Sequence, residues 1–359
     1  MKRILLITEN LGSGGAERQL CGLAVMLKKR GYTVRVITYV RNQFYEPMLR
    51  EAGVEYRLVE KAFNHLRRLP VLLRELKDFR PDVVISFLRS VNKTMCLLRL
   101  AYRSKLIVSE RNFTLNWNRS TRLLHRLYSV ADYVVPNSEA EAENIKEHCA
   151  WLTKKTVAIP NFTDTERFHP ADEPQCNDVF TILSVGRVTE QKNILTYVRA
   201  LAKVRDAGLA FHAIWVGSQK NEEYFNKVKT LIGQYNLSEY IEMRDQTEDI
   251  ADFYRQADAF CLPSVFEGYP NVLCEAMASG LPVACSNIQE MPRIVQEEIN
   301  GYLFDPYNAD DIAMTLKRLI ATPAEKLSEM SQANRAQILA NNTVEAFADR
   351  YISLIESFR

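Results

Sequence analysis

Short apolar runs alternate with amphipathic stretches along most of the chain. Arg3–Thr8, Thr33–Tyr39, Glu55–Val59, Val83–Phe87, Leu106–Ser109, Tyr133–Val135 and Thr156–Ile159 are rich in β-branched and aliphatic residues and read as strands, with helical spacing between most of them. Strands of this kind separated by helices predict a parallel sheet covered on both faces. The pattern stops between Pro160 and Asp178, where Pro160, Pro170 and Pro174 with scattered charge mark a linker. It resumes with Phe180–Val185, Phe211–Val216, Tyr240–Met243, Ala259–Leu262, Pro282–Cys285 and Tyr302–Phe304. The fold class expected is therefore α/β, with two doubly wound, Rossmann-like domains, 1–165 and 166–343, facing a central cleft. A last stretch, Val344–Phe358, is helical by the spacing of Phe347, Tyr351 and Leu354.

Composition narrows the class. At 359 residues the chain exceeds one ordinary core, and 47% hydrophobic with 25% charged residues is the balance of a globular protein. No apolar run approaches the roughly 18 residues of a membrane span. The amino terminus, KRILLIT before Glu9 and Asn10, is too short in its apolar part for a secretory signal, so a cytoplasmic location is expected. Seven cysteines, at 21, 96, 149, 176, 261, 274 and 285, lack CxxC spacing and mostly lie in apolar runs, which reads as reduced core residues. The net charge of +2 hides an asymmetry: residues 1–160 carry 28 Lys and Arg against 15 Asp and Glu, net +13, and residues 161–359 carry 18 against 29, net −11. A basic half is compatible with nucleic acid, an anionic membrane or a phosphate-rich substrate.

Candidate chemistry concentrates at four places. Glu267–Ala276, EGYPNVLCEA, follows an apolar strand and opens a helix that stops at Gly280. Pro270 suits its first turn, and the amides of Asn271 and Val272 are expected to point out at the positive end of the helix dipole, where an anion belongs. Glu267 in the loop and Glu275 on the helix can then flank one ligand, although Glu9 and Glu17 share that spacing without the context. Gly186-Arg187 ends the strand Phe180–Val185, with Lys192 shortly after, which in isolation reads as a charged turn. Gly12-Ser13-Gly14-Gly15 lies between the first strand and a helix. Glu17 stands where a dinucleotide fingerprint would have its third glycine, and no acid follows near Thr38 and Tyr39, so NAD is disfavoured. Ser109-Glu110-Arg111-Asn112 ends a strand of the first half, where cleft residues should sit.

Two basic helices complete the inventory. Lys61, His65, Arg67, Arg68, Arg74 and Lys77 accompany Leu66, Leu69, Leu73 and Leu76, which read as a face on the sheet. Arg119, Arg122 and Arg126 accompany Leu123, Leu124 and Leu127, preceded by Phe113, Leu115 and Trp117, a combination suited to shallow docking on an anionic leaflet. His65 and His125 read as surface or capping residues. No DxD ends a strand and no His, Cys or carboxylate cluster has ligand spacing, so no metal is expected.

Together the segments Gly186–Lys192 and Glu267–Gly280 resemble the signature of the retaining, GT-B-fold glycosyltransferases of family 4, and the resemblance extends over nearly the whole chain. It implies transfer of a hexose or N-acetylhexosamine from a nucleotide diphosphate donor, expected to be a UDP-sugar, with no cofactor besides that substrate. Arg187 and Lys192 would hold the diphosphate, assisted by Gly186, Gly268, Asn271, Val272, Arg244 and Gly15. Glu275 would bind the ribose and Glu267 the donor sugar, while the departing phosphate accepts the acceptor's proton. Gly14, Glu110, Arg111, Arg67 and Arg68 would serve the acceptor; Arg111 stands near where many members carry a histidine. The terminal helix, 344–359, would cross back to the first domain. The SERN segment and basic helices also resemble enzymes that extend polyprenyl-diphosphate-linked glycans at the inner face of a bacterial membrane, in surface polysaccharide or glycoprotein glycan assembly. That implies a lipid-linked acceptor and an anionic inner-membrane surface as partners, a peripheral location, and no nucleic acid. A nucleotide-sugar epimerase of the same architecture and a non-enzymatic basic binding module remain as alternatives.

Overall fold

The computed structural model describes residues 2–59, 65–172 and 177–358. The chain divides into two compact units, Met1–Phe162 with Val344–Arg359, and Thr163–Thr343. In the first unit the strands β1 (Arg3–Ile7), β2 (Thr33–Thr38), β3 (Glu55–Leu58), β4 (Val83–Phe87), β5 (Lys105–Glu110) and β6 (Tyr133–Pro136) form a parallel sheet of order β3-β2-β1-β4-β5-β6. Alternation along each strand feeds two layers: Ile4, Leu6, Ile85 and Phe87 pack with Leu20, Leu23, Phe347 and Tyr351 on one side, and Leu5, Ile7 and Val84 with Leu72, Leu76, Met95 and Tyr128 on the other. The terminal helix Val344–Ser357 belongs to the first layer, with Phe347, Tyr351 and Ile355 buried and Lys2 Nζ donating to the Ile355 carbonyl at 2.7 Å.

The second unit repeats the design with β7 (Thr181–Val185), β8 (His212–Val216), β9 (Ile241–Arg244), β10 (Ala259–Leu262), β11 (Val283–Ser286) and β12 (Gly301–Phe304), in the order β12-β11-β10-β7-β8-β9. Each sheet reverses its direction of growth once, between β1 and β4 and between β7 and β10. A crevice opens outside the carboxyl ends at such a point. The β7–β10 pair is in register only at Ile182–Ala259 and Leu183–Phe260, so the ladder between them ends before the strands do.

Two expectations are corrected. Thr156–Ile159 is not a strand; only Thr156 forms a bridge, to Val134. Val134 exchanges bonds with Lys155 and Val157 and Ile159 donates to the Pro136 carbonyl, but Pro136 has no N–H to return, and the ladder breaks there. His125 is not at the surface. It is fully buried, with its ring 4.6 Å from Trp117 and 5.2 Å from Tyr128 between centroids, and Nδ1 lies 2.9 Å from the Thr121 carbonyl. A carbonyl only accepts, so Nδ1 carries the proton, and Nε2 has no partner. The six described cysteines are free and buried; Cys176, Pro174 and Lys61 lie outside the described residues.

Burial pushes the His125 pKa below its ordinary value, partly offset by the Glu110 carboxylate. The unfolded chain then binds a proton that the folded one excludes, so the contribution to stability is complete above about pH 6.5 and is lost as pH falls below it. His125→Leu is expected to flatten the fall in unfolding midpoint on acidification, relative to the parent, in thermal melts across that window. Parallel curves for the two proteins would contradict this assignment.

Candidate active site

The loops after the carboxyl ends of β7 and β10 carry most of the residues expected on the donor side. Past β7 the chain turns at Gly186 and Arg187 and reaches a 3₁₀ turn, Glu190–Lys192, before the helix Ile194–Asp206. Asn193 joins the two in the left-handed region (φ 57°), held by its side-chain Nδ2 donating 2.7 Å to the Pro306 carbonyl. The loop after β10 lies alongside. The Val265 amide donates to the Gln191 carbonyl at 2.9 Å, the Gln191 side chain donates to the Phe266 carbonyl at 3.0 Å, and Lys192 Nζ meets Glu267 Oε1 at 2.7 Å. The backbone ladder between β7 and β10 is thereby continued by side chains.

Both members of the Lys192–Glu267 pair are buried. The same Glu267 oxygen accepts from Ser264 Oγ at 2.8 Å, and the Glu267 amide donates to Gln289 Oε1 at 2.9 Å. Gly186 is needed for space: a Cβ there would sit 2.7 Å from Lys192 Cε and 2.9 Å from its Cδ, because the lysine stem crosses over the glycine. The Gly186 carbonyl is fixed in turn by Trp215 Nε1 at 2.8 Å. Arg187 is exposed and has no ion-pair partner among the described residues.

The helix Asn271–Ala278 begins after Pro270 and is followed by Gly280 at φ 75°, a conformation that favours glycine. Its first turn differs from expectation. The Asn271 amide donates to the Tyr269 carbonyl at 2.9 Å, and those of Leu273 and Cys274 to the Pro270 carbonyl, leaving the Val272 amide as the one without an acceptor among the described residues. Glu275 is buried, with Oε2 3.2 Å from the Tyr254 hydroxyl, which also lies 3.1 Å from the Val272 carbonyl. Gly268 lies between Glu267 and Tyr269 in the same loop. Arg244, at the end of β9, keeps an exposed side chain paired with Glu242, while its carbonyl accepts from the Gly217 amide. Ser264, Gln289 and Tyr254 are additions that sequence reasoning did not supply.

In the first unit Gly14 caps and Gly15 opens the helix Gly15–Lys29, both exposed, with no side chain capping them. Glu17 folds back so that its carboxylate occupies the place of a Gly14 Cβ, and burial pushes its pKa up. At the β1–β4 reversal Glu9 accepts from Ser90, and Tyr39 Oη lies 3.4 Å from Glu9 Oε1 and 3.2 Å from Ser90 Oγ. Burial, with the nearby Glu9, pushes the Tyr39 phenol up to about 12.

On the acceptor side Arg68, Arg111, Glu110 and Trp117 lie more deeply than expected. Arg68 is 6% exposed, its guanidinium 4.1 Å over the Tyr39 ring, so it belongs to this inner cluster and not to an outer basic face. Arg67 lies in the helix His65–Phe79, outside the residues whose side chains are described. Arg111 is buried, bonded to Ser109 and Asn161 and stacked on Phe87, with burial lowering its pKa; it anchors β5 and is not displayed to a ligand. Glu110 is likewise internal, held by Arg89 at 3.1 Å and by Tyr128. Trp117, expected as an apolar tip, stacks on His148 at 4.6 Å and donates 2.8 Å to Asn144.

A concavity of about 720 Å³ near Lys2, Arg80, Asp82 and Lys105 lies at the amino ends of the first unit's strands, opposite the end where doubly wound sheets bind ligands. Among the described residues no group of three His, Cys, Asp or Glu is placed to hold a metal, and no helix is long and apolar enough to cross a membrane.

Residues 166–337 match the family Glycosyl transferases group 1, and residues 13–167 match Glycosyltransferase Family 4. An uncharacterized glycosyltransferase of Haemophilus influenzae is 28% identical over 93% of this chain and 95% of its own length. The N-acetylgalactosamine-N,N'-diacetylbacillosaminyl-diphospho-undecaprenol 4-alpha-N-acetylgalactosaminyltransferase of Campylobacter jejuni is 25% identical over 89% of this chain and 90% of its own. In fold the chain resembles the Anabaena protein HepE, solved in complex with UDP and glucose, with a TM-score of 0.86 at 18% identity over all of both chains.

Replacing Lys192 by Met is expected to lower stability by about 3–5 kcal/mol, because it strands a buried carboxylate, whereas Lys192→Met with Glu267→Gln together cost far less than the sum of the single changes. Urea unfolding of the four proteins measures this. Additive losses would show that the pair is not a unit.

Proposed function

The chain belongs to the group 1, family 4 glycosyltransferases, and on that premise we propose that it moves a hexose or N-acetylhexosamine from a UDP-sugar to a glycan carried on a polyprenyl diphosphate, with retention at the anomeric carbon. The observation that carries this reading is the coincidence, at the β7–β10 opening, of an unpaired exposed Arg187, the Lys192–Glu267 pair and the unengaged Val272 amide.

In the reaction the bond between the sugar C1 and the diphosphate oxygen breaks, the acceptor hydroxyl oxygen bonds C1 on the same face, and its proton passes to the departing phosphate. What the protein must supply is charge neutralisation on the diphosphate in a site shielded from water. Arg187 provides a cation with no internal competitor. Lys192 is held ready by Glu267, and a diphosphate that draws the ammonium toward itself leaves Glu267 able to accept from a sugar hydroxyl. Glu275, aimed by Tyr254, is placed to accept from ribose hydroxyls. Gly268 and Arg244 border this donor site. Glu17 beside Gly14 disfavours an anion at the first glycine loop, so Gly14 and Gly15 suit a hydroxyl-bearing sugar better than a phosphate.

For the acceptor, support comes from the net charge of +13 in residues 1–160 and from the relative that uses an undecaprenyl-diphosphate-linked glycan. Such a substrate places the protein at the cytoplasmic face of a membrane as a peripheral enzyme of surface glycan assembly.

Arg187→Ala is expected to reduce turnover by roughly 10²-fold or more with little change in stability, since it removes a charge that counts most as the phosphate leaves. Steady-state rates with UDP-sugars and lipid-diphosphate glycans, with the product anomer read by NMR, test both parts. Near-parental turnover in the folded variant, or an inverted product, would overturn the reading.

A further inference from the structure

Between the helices Arg89–Leu97 and Arg119–Leu127 of the first unit runs a groove of about 680 Å³. Its lining is unusual in charge. Arg89, Lys93 and Arg126 contribute cations and no carboxylate contributes at all, while Leu97, Leu123 and Leu127 contribute hydrocarbon. Two of these leucines stand open to water, Leu97 at 55% and Leu123 at 71% exposure. We propose that this groove binds the isoprenyl chain of a phosphate-bearing lipid, with the phosphates at its cationic end.

The polarity of the groove supports one occupant and one orientation. On the helix Arg89–Leu97 the lining residues Arg89, Lys93 and Leu97 follow at intervals of one turn, so the face changes from charge to hydrocarbon along its length. Arg89 sits just past the carboxyl end of β4, the edge at which a doubly wound sheet receives ligands, and is held there by Glu110 at 3.1 Å and Thr114 at 2.6 Å. Lys93 has no ion-pair partner among the described residues, so an anion at that end would meet a charge that no internal acid neutralises. A single amphiphilic chain matches the size, since cavities of 300–1,000 Å³ are typical of small-ligand sites. A stable protein partner would engage about 20–30 residues a side, more than this lining offers. A flat leaflet would meet a protruding face and not a concavity. The assignment rests on the lipid-diphosphate reading of the acceptor and adds where the lipid lies.

Calorimetric titration of the whole chain with farnesyl diphosphate, and separately with inorganic diphosphate, tests the proposal. Farnesyl diphosphate is expected to bind at least tenfold more tightly than inorganic diphosphate. Leu123→Asn, at an exposed position where folding is little affected, is expected to weaken the farnesyl compound by about tenfold, the loss of one leucine contact, and to leave inorganic diphosphate unchanged. Lys93→Ala is expected to weaken the farnesyl compound as well. Equal binding of the two probes, or parental affinity for farnesyl diphosphate in Leu123→Asn, would overturn the groove assignment. So would a concentration-dependent dimer that Leu123→Asn abolishes, because the occupant would then be a second copy. UDP-sugar hydrolysis, followed in the same proteins, separates the two readings: its absence in the parent sinks the transferase reading, and its retention in Leu123→Asn shows that a loss of farnesyl binding is local.

Discussion

The ion pair between Lys192 and Glu267 is the constraint from which the donor-side site follows. A sheet that reverses its growth between β7 and β10 must let those strands part, and here the backbone ladder ends at Leu183 and Phe260. Something has to hold the two following loops in a defined relation. A buried ammonium and carboxylate 2.7 Å apart do so, with Ser264 donating to the same carboxylate oxygen and Gln289 accepting from the Glu267 amide. A buried pair is at best weakly stabilising in net, because desolvation offsets attraction. Its value here is positional: it keeps a cation and an anion together at the opening, where the proposed reading places the donor. Gly186 and Trp215 follow from the same need, the first leaving room for the lysine stem and the second fixing the glycine carbonyl.

The two units use one topology for different electrostatic tasks. In the second, the reversal point presents Arg187 and a prepared lysine. In the first it presents Glu9, Tyr39 and Ser90, with Arg68 stacked behind, and a glycine loop guarded by Glu17. That chemistry suits neutral hydroxyls at the sheet edge. Lys93 and Arg126, without an ion-pair partner among the described residues, lie instead on the helices flanking the groove, where hydrocarbon accompanies them. Other positive charge is internal: Arg111 and Arg68 are buried, the first bonded to Ser109 and Asn161 and the second stacked on Tyr39.

The alternation of apolar runs revealed both sheets among the described residues because most of their strands, β1, β4, β5, β10 and β11 above all, are buried on two faces and bounded by turns. One strand was misread, because its partner β6 ends in Pro136, whose missing N–H matters only once the pairing is known. Glu267, Lys192 and Arg187 were legible from their local strand-loop-helix settings. Their relation was not, since Lys192 and Glu267 meet across 75 positions through packing. The same limit explains Arg68, Glu110, Arg111 and His125. Each looked exposed in a polar stretch, and whether a charged or basic side chain turns inward depends on neighbours from other elements. Asn271 differed for a subtler reason: Pro270 lets the Tyr269 carbonyl bend back onto the first amide of the helix.

The most direct measurement of the central claim is the affinity of the protein for UDP compared with UMP, by calorimetry, without any acceptor or lipid. If the β7–β10 opening is built to hold a diphosphate, UDP should bind at least about tenfold more tightly than UMP, the increment of one charge-assisted contact. Arg187→Ala should remove most of that difference while leaving UMP binding near its parental value. Equal affinities for the two nucleotides in the parent, or a difference that survives Arg187→Ala unchanged, would contradict the account.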